Sequence, residues 1–403
     1  MLFQDYLKDN FDLYFKQFKI KNRAAYESKY HPNYLSIKGF EQDIKFRKES
    51  IISSIKSKTF RFSKLYPVVV FNKKNPEKQP RLICIPTIQD RLVQMILIKY
   101  LAEYRKDDLA MFKSRDFAVE GLGIIEARKE ALKLRNTEKF VLKTDISSFF
   151  DNLDRQRLKK DFKETLPEDL LYLFDSAIYC DCFIPNDYNE KSRAFILSKQ
   201  GKGVRQGMPL SPLIASFYLS QFDEWLYTNK LKHVRYADDL IFFLDTEEES
   251  KKVFRQVEAK LNEIELSLPK LEDNTKTQII RPFEEVSFLG LNIRYENKIY
   301  NWYIPSEVIK NVEESLYNLT SVSKNIQKKL TLVKTITRMN QIVIGYEHCF
   351  KDAESKNLND FKRRLYEAQT ASLNTLFKNI GLDISAVSKA HWNYLIGTQM
   401  DQK

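Results

Sequence analysis

At 403 residues the chain is long enough for two or three domains with ample core, and 30% of it is charged against 43% apolar. No apolar run could span a bilayer, and the opening Met1-Leu2-Phe3-Gln4-Asp5-Tyr6 lacks the basic and apolar regions of a signal peptide, so no membrane partner is expected and a cytoplasmic location is. The net charge of +12 points to a polyanionic partner, most simply nucleic acid, and 21 Tyr and 28 Phe supply rings that stack on bases as well as fill cores.

Residues 1–65 read as a helical N-terminal extension, a cap over the domain that follows. Phe11, Tyr14 and Phe18 fall at helical spacing, and so do Ile44, Ile51, Ile52 and Ile55. Next, Tyr66-Pro67-Val68-Val69-Val70-Phe71 and Arg81-Leu82-Ile83-Cys84-Ile85-Pro86 are β-rich runs around the polar loop 72–80. Such a hairpin, with Lys73 or Lys74 on one arm and Arg81 on the other, can hold a triphosphate through point charge and bidentate fork; a solvated loop fits the same residues. Asp90 opens a helix expected to reach about Tyr104.

Phe140-Val141-Leu142-Lys143-Thr144-Asp145 reads as an apolar strand that delivers Asp145 at its end, where Ile146-Ser147-Ser148-Phe149-Phe150-Asp151 turns into a helix. The glycine-punctuated segment Gly201-Lys202-Gly203-Val204-Arg205-Gln206-Gly207 allows close backbone approach to a ligand, with Gln206 placed to touch a nucleotide. It leads into an apolar helix expected over 213–227.

Lys232-His233-Val234-Arg235-Tyr236-Ala237-Asp238-Asp239-Leu240-Ile241-Phe242-Phe243-Leu244 carries two adjacent carboxylates between aromatic-rich runs. That pattern predicts a β-hairpin with Ala237, Asp238 and Asp239 at its tip. Like charges so placed repel unless a cation sits between them, and a hard divalent ion with oxygen ligands, Mg²⁺ or Mn²⁺, suits them. A polar turn between two strands is the plainer alternative. Phe254, Val257, Leu261 and Ile264 then mark an amphipathic helix, Lys276-Thr277 precedes a strand, and Phe288-Leu289-Gly290 starts a further hairpin. From Pro305 the pattern is helical, over 330–346, 359–377 and a short tail helix, with Lys328, Lys329, Lys334 and Arg338 available to grip a duplex. Cys84, Cys180, Cys182 and Cys349 are too few and scattered for a disulfide framework or a zinc site, so a reduced protein is expected.

Taken in order over about residues 60–350, these segments resemble the reverse transcriptases. Arg81 with a nearby lysine resembles the fingers motif, Asp145 through Phe150 the first palm motif, and Arg205-Gln206-Gly207 through Ser211-Pro212 the glycine–glutamine motif. Tyr236-Ala237-Asp238-Asp239 matches the YxDD box, Lys276 the later palm lysine, and Phe288-Leu289-Gly290 the primer grip. Met339-Asn340-Gln341 with Gly345-Tyr346 resembles the thumb of the intron type, and the branch implied is that of group II intron and retron enzymes. A short free-standing chain of this kind is most similar to the defence-associated "unknown group" enzymes.

The resemblance implies an α+β right-hand polymerase fold: an antiparallel palm sheet bearing the YADD hairpin, fingers and palm over 66–300, and a helical thumb and tail over 301–403. It implies an RNA-directed DNA polymerase with two Mg²⁺ held by Asp145, Asp238, Asp239 and the Ile146 backbone. Lys276 is then a proton donor to pyrophosphate, Arg81 with Lys73 or Lys74 contacts the phosphates, and Phe150 is the sugar gate. Gln206, Gly207 and Tyr236 line the nucleotide. The implied partners are a structured non-coding RNA, dNTPs and the DNA product, with a homo-oligomer or a companion protein left open, and the implied setting is antiphage defence. Two rivals keep the same fold: an untemplated or protein-primed DNA-synthesising enzyme, and a non-catalytic maturase-like RNA scaffold. A structural protein would leave the aspartates without a purpose.

Overall fold

The computed structural model describes residues 1–27, 34–71, 79–105, 116–119, 123–135, 139–272 and 275–382. Lys73 and Lys74, with most of their loop, lie outside the described residues, as does the tail helix. The chain divides into two units, one of residues 1–127 and 142–279, the other of 128–141 and 280–403.

In the first unit the N-terminal helix Phe3–Lys21 turns Phe3, Tyr6, Leu7, Phe11, Tyr14, Phe15 and Phe18 inward. That stripe packs on the helix Ile88–Tyr104, with the Phe3 and Tyr100 rings 5.4 Å apart. A helix Ile44–Lys56 follows, burying Ile51 and Ile55. Strands β1 (Tyr66–Val70) and β2 (Arg81–Ile85) pair antiparallel, with Val70 opposite Arg81.

The central sheet has four strands: β3 (Phe140–Asp145), β4 (His233–Tyr236), β5 (Asp239–Leu244) and β6 (Gln278–Ile280), in the order β4-β5-β3-β6. Leu240 to Leu244 are all buried, because β5 lies inside the sheet and the helix Glu247–Asn262 packs against it. A strand covered on both faces reads as a continuous apolar run rather than an alternating one. Ile264, expected within that helix, lies just beyond its end and is still buried. The single helix expected over 213–227 is two, Ser211–Tyr218 and Ser220–Thr228, parted at Leu219. The break starts a second helix whose Asp223 is buried, an orientation that apolar periodicity does not report.

The second unit holds a three-stranded sheet of β7 (Val286–Phe288), β8 (Leu291–Glu296) and β9 (Ile299–Tyr303) and a helical bundle. Leu289 and Gly290 form the tip between β7 and β8, both with positive φ, as a type I′ turn requires. Arg128, fully buried, donates to the Leu289 carbonyl at 2.6 Å and to Asp352 at 2.7 Å. The helices Ser306–Tyr317, Leu332–Cys349 and Ser355–Asn379 pack through Ile309, Val312, Met339, Val343, Phe361 and Leu365. Side chains of Thr331 and Glu354 accept from amides of the first turns and set where the last two begin. Lys328, Lys329, Lys334 and Arg338 are exposed. Among the described residues no helix is long and apolar enough to cross a membrane.

Asp90 joins the Phe60–Leu65 segment to the helix it opens. Its side chain is fully buried and accepts from the Ser63 amide at 3.1 Å, while Oδ1 has no hydrogen-bond partner. Burial pushes its carboxyl up to about 6, against the bonds from Thr87 and Ser63 that favour its charge. Between the ordinary carboxylate value and about 6, the folded chain therefore keeps a proton that the unfolded chain releases, and stability falls as pH rises through that window. A carboxyl that titrates one pH unit higher in the folded chain than in the unfolded one changes stability by about 1.4 kcal/mol. Thermal melts of wild type and Asp90→Asn between acidic and mildly alkaline pH check this. The wild type should lose stability on the alkaline side relative to the variant, and equal pH slopes would refute the assignment.

Candidate active site

The hairpin tip is a two-residue turn, Ala237-Asp238, closed by the pair Tyr236–Asp239. Ala237 has φ +54° while Asp238 is absent from the positive-φ set, the φ pattern of a type II′ turn, in which glycine is the usual first residue. An alanine held there costs on the order of 1–3 kcal/mol. Three hydrogen bonds hold it. Asp116 Oδ1 accepts from the Ala237 amide at 2.9 Å, Arg235 Nη1 donates to the Ala237 carbonyl at 3.0 Å, and the Ile146 amide donates to the Asp238 carbonyl at 3.0 Å.

Arg235 is fully buried and charged. Its Nε donates to Asp223 at 2.6 Å and its Nη1 lies 2.9 Å from Asp116. Burial opposes the charge, and Asp223 and Asp116 together overcome it and hold the guanidinium above its ordinary value. Asp116 and Asp223 were not predicted from sequence. The sequence signal is Arg235 itself, in the strand His233–Tyr236, because an arginine that is buried demands carboxylate partners.

Asp145 ends β3, buried, one hydrogen bond from the hairpin through its neighbour Ile146. Asp145 Oδ2 pairs with Lys276, and Oδ1 is buried without a partner. Lys276 is anchored beside β6, where Thr277 Oγ1 lies 2.7 Å from Thr144 Oγ1. The carboxyls of Asp238 and Asp239 are both raised, chiefly by burial. The charge of Asp238 raises Asp239 further, whereas Arg81 draws both down and Lys143 draws Asp239 down. Arg81, exposed on β2, thus acts on both carboxylates, as does Lys143 on Asp239, a lysine that carries no signal of its own in the sequence. Burial in turn lowers the Lys143 ammonium.

These donors suit a hard divalent cation. They are all oxygens, Asp145 presents an orphan oxygen, and Asp238 and Asp239 repel each other. Among the described residues, though, no three His, Cys, Asp or Glu side chains come together as a group that could hold a metal ion. The Lys276 ammonium supplies the positive charge next to Asp145 instead.

Phe150 is the second residue of the short helix Phe149–Asn152, which is entered through Ser148 at φ +48°, and it is half-buried. The Phe150 carbonyl accepts from the Val204 amide at 2.8 Å, which brings the gate position and the glycine loop together. A Cβ on Gly203 would strike the Phe150 and Asp151 backbone, and one on Gly207 the Cys84 carbonyl. Both glycines have positive φ. Gln206, half-buried, accepts at its carbonyl from the Cys84 amide at 2.7 Å, so the loop is stitched to β2 next to Arg81. Tyr236 is half-buried at the end of β4.

Removing one member of a buried ion network leaves an uncompensated charge and costs about 3–5 kcal/mol. Arg235→Met, which strands two carboxylates, should be the most destabilising change. Asp116→Ala, which loses an ion pair and the Ala237 bond, should follow, and Asp116→Asn, which keeps an acceptor for Ala237, should cost least. Urea unfolding of the three variants reads the order; equal losses for the two Asp116 variants would remove the turn-holding role.

Residues 71–293, more than half of the chain, match the family model described as reverse transcriptase (RNA-dependent DNA polymerase). The group II intron-encoded protein LtrA of Lactococcus lactis subsp. cremoris is 27% identical over 282 residues, 65% of this chain and 41% of that one. The retron Ec83 reverse transcriptase of Escherichia coli is 28% identical over 173 residues, 40% of this chain and 48% of that one. The chain thus spans less than half the length of these curated relatives. With its hairpin-bearing antiparallel sheet as palm, the fold is the α+β right-hand polymerase fold, and the chain belongs to the reverse transcriptase family, in the bacterial branch of group II intron and retron enzymes.

Proposed function

We propose that the chain is an RNA-directed DNA polymerase whose active site is built on Asp145, Asp238 and Asp239. The observation that carries this reading is the hydrogen bond from the Ile146 amide to the Asp238 carbonyl, which sets the end of β3 against the hairpin tip. Asp145 and Asp238 would hold a pair of divalent ions, with the Ile146 carbonyl and Asp239 in support, and those ions would lower the pKa of a primer 3′-hydroxyl and neutralise the leaving pyrophosphate. Arg81, with Lys73 or Lys74, neutralises the β- and γ-phosphates. Lys276, paired with Asp145, holds a proton where pyrophosphate leaves. Gln206, Gly207 and Tyr236 face the nucleotide, and the Phe150 ring excludes a 2′-hydroxyl by clash.

The exposed Lys328, Lys329, Lys334 and Arg338 support a thumb that grips a duplex by its phosphates. The finer reading is that the template is a dedicated structured RNA held by shape and backbone contacts, that the product is DNA, and that the setting is antiphage defence.

Primer extension on an RNA template with Mg²⁺ tests the chemistry. Asp238→Asn should abolish incorporation while melting at or above the wild-type temperature, since removing one carboxylate relieves repulsion. Near-normal incorporation by that variant would sink the two-ion assignment. Sequencing RNA that co-purifies with the protein expressed from its native flanking DNA should return one discrete species that templates the product. A random transcript sample, or full activity after nuclease digestion, would favour the untemplated or protein-primed reading.

Phe150→Ala should admit ribonucleotides, because the clash disappears while the phosphate contacts stay. The deoxy-to-ribonucleotide incorporation ratio reads this directly, and an unchanged ratio moves the gate to another residue.

A further inference from the structure

Away from the aspartates, the first unit contains a cavity of about 640 Å³ between the segment Arg61–Lys64 and the helix Leu171–Ile178 with its continuation to Cys182. None of Asp145, Asp238, Asp239 or Gln206 lines it. Its volume lies in the range of pockets that take small molecules, about 300–1,000 Å³.

The lining is polar and aromatic. Arg61 is locked in place: its Nη1 donates to the Lys58 and Phe60 carbonyls at 2.9 and 2.7 Å, and its guanidinium lies 5.4 Å from the Tyr172 ring. That leaves Nε and Nη2 to serve a ligand. Lys64 is exposed, and among the described residues no carboxylate pairs with either cation. Tyr179 is exposed, with the cations of Arg155 and Lys159 each 5.8 Å from its ring. Asp181, a second lining residue, is already bound by Arg155 at 2.7 Å and Arg205 at 3.1 Å. Asp175, half-buried, also lines the cavity and adds a carboxylate acceptor.

We infer that this cavity binds one nucleotide unit. Arg61 and Lys64 take its phosphate, the base stacks on Tyr179, and Asp175 accepts from the amino edge of the base. A preformed guanidinium next to a point charge suits a phosphate, and an exposed ring among cations is a stacking platform tolerant of base identity. The chemistry is that of an unpaired residue in an RNA strand or of a free nucleoside monophosphate.

The position gives the site a consequence. The Sγ of Cys182, which lines the cavity, lies 3.1 Å from Cys84 Sγ, and the Cys84 amide holds the Gln206 carbonyl. Asp181 accepts from the Gly201 amide at 3.0 Å. A ligand in the cavity therefore rests on the same residues that fix the Gly201–Gly207 loop.

Photocrosslinking of the full chain carrying Asp238→Asn tests this without polymerisation, so a failure here leaves the proposed chemistry standing. Two probes are used, a short RNA containing one 4-thiouridine and 8-azido-AMP, with crosslinks mapped by mass spectrometry. Crosslinking of the RNA to Tyr179 or Tyr172 assigns the unit to a strand, and crosslinking of 8-azido-AMP alone assigns it to a free nucleotide. In either case the yield should fall at least about tenfold, equivalent to about 1.4 kcal/mol, in Arg61→Glu/Lys64→Glu and in Tyr179→Ala. Tyr179→Phe, which keeps the ring, should retain it, and melting temperatures verify folding. No crosslink between residues 172 and 182 with either probe, or a yield indifferent to these changes, overturns the site.

Discussion

A fully buried arginine between two carboxylates underlies the hairpin that carries the paired aspartates. Arg235 carries its charge into the core of the first unit, where Asp223 and Asp116 neutralise it. In exchange for that desolvation the network fixes both polar groups of Ala237, amide and carbonyl, in a backbone geometry that alanine disfavours. The two aspartates at the tip are thus positioned by the residues behind them rather than by any attraction of their own, since their mutual interaction is repulsive. A buried ion network is poor evidence of stability but good evidence of a specified conformation. Here it specifies one turn.

The glycine loop follows a similar logic with different means. Gly203 and Gly207 lie where a side chain would collide with the Phe150–Asp151 and Cys84 backbones. The strand that carries Arg81, β2, and the segment after β3 that carries Phe150 are thereby drawn onto one loop. Backbone hydrogen bonds from Val204 and to Gln206 complete the stitching. Charge is arranged with comparable economy: Lys276 covers Asp145, while Lys143 and Arg81 moderate the carboxyls that burial pushes up.

In the second unit, Arg128 performs for the β7–β8 tip what Arg235 performs for the Ala237–Asp238 turn. It is buried, it holds the Leu289 carbonyl, and Asp352 answers its charge. Leu289, like Ala237, has positive φ without being glycine. Two turns of the same chain are therefore held in costly conformations by buried guanidinium groups. Planar forks of five donors suit that task, because they satisfy carbonyls and a carboxylate at once.

By itself the sequence determined the elements whose signals are local. The apolar run with its paired carboxylates announced the hairpin, the strand ending at Asp145 announced the third aspartate, and helical spacing announced the N-terminal stripe and the C-terminal bundle. The spacing of these motifs along the chain was sufficient for the family. Only the tertiary structure decided what stands behind them. Asp116 meets Ala237 across 121 residues of chain, and Arg128 meets Asp352 across 224. Neither separation leaves any periodicity to read. The break at Leu219, the Lys143 charge beside Asp239 and the Arg61–Tyr179 cavity were hidden for the same reason. Hydrophobic patterning reports which face is buried, but the partner of a buried charge is chosen by the packing of distant segments.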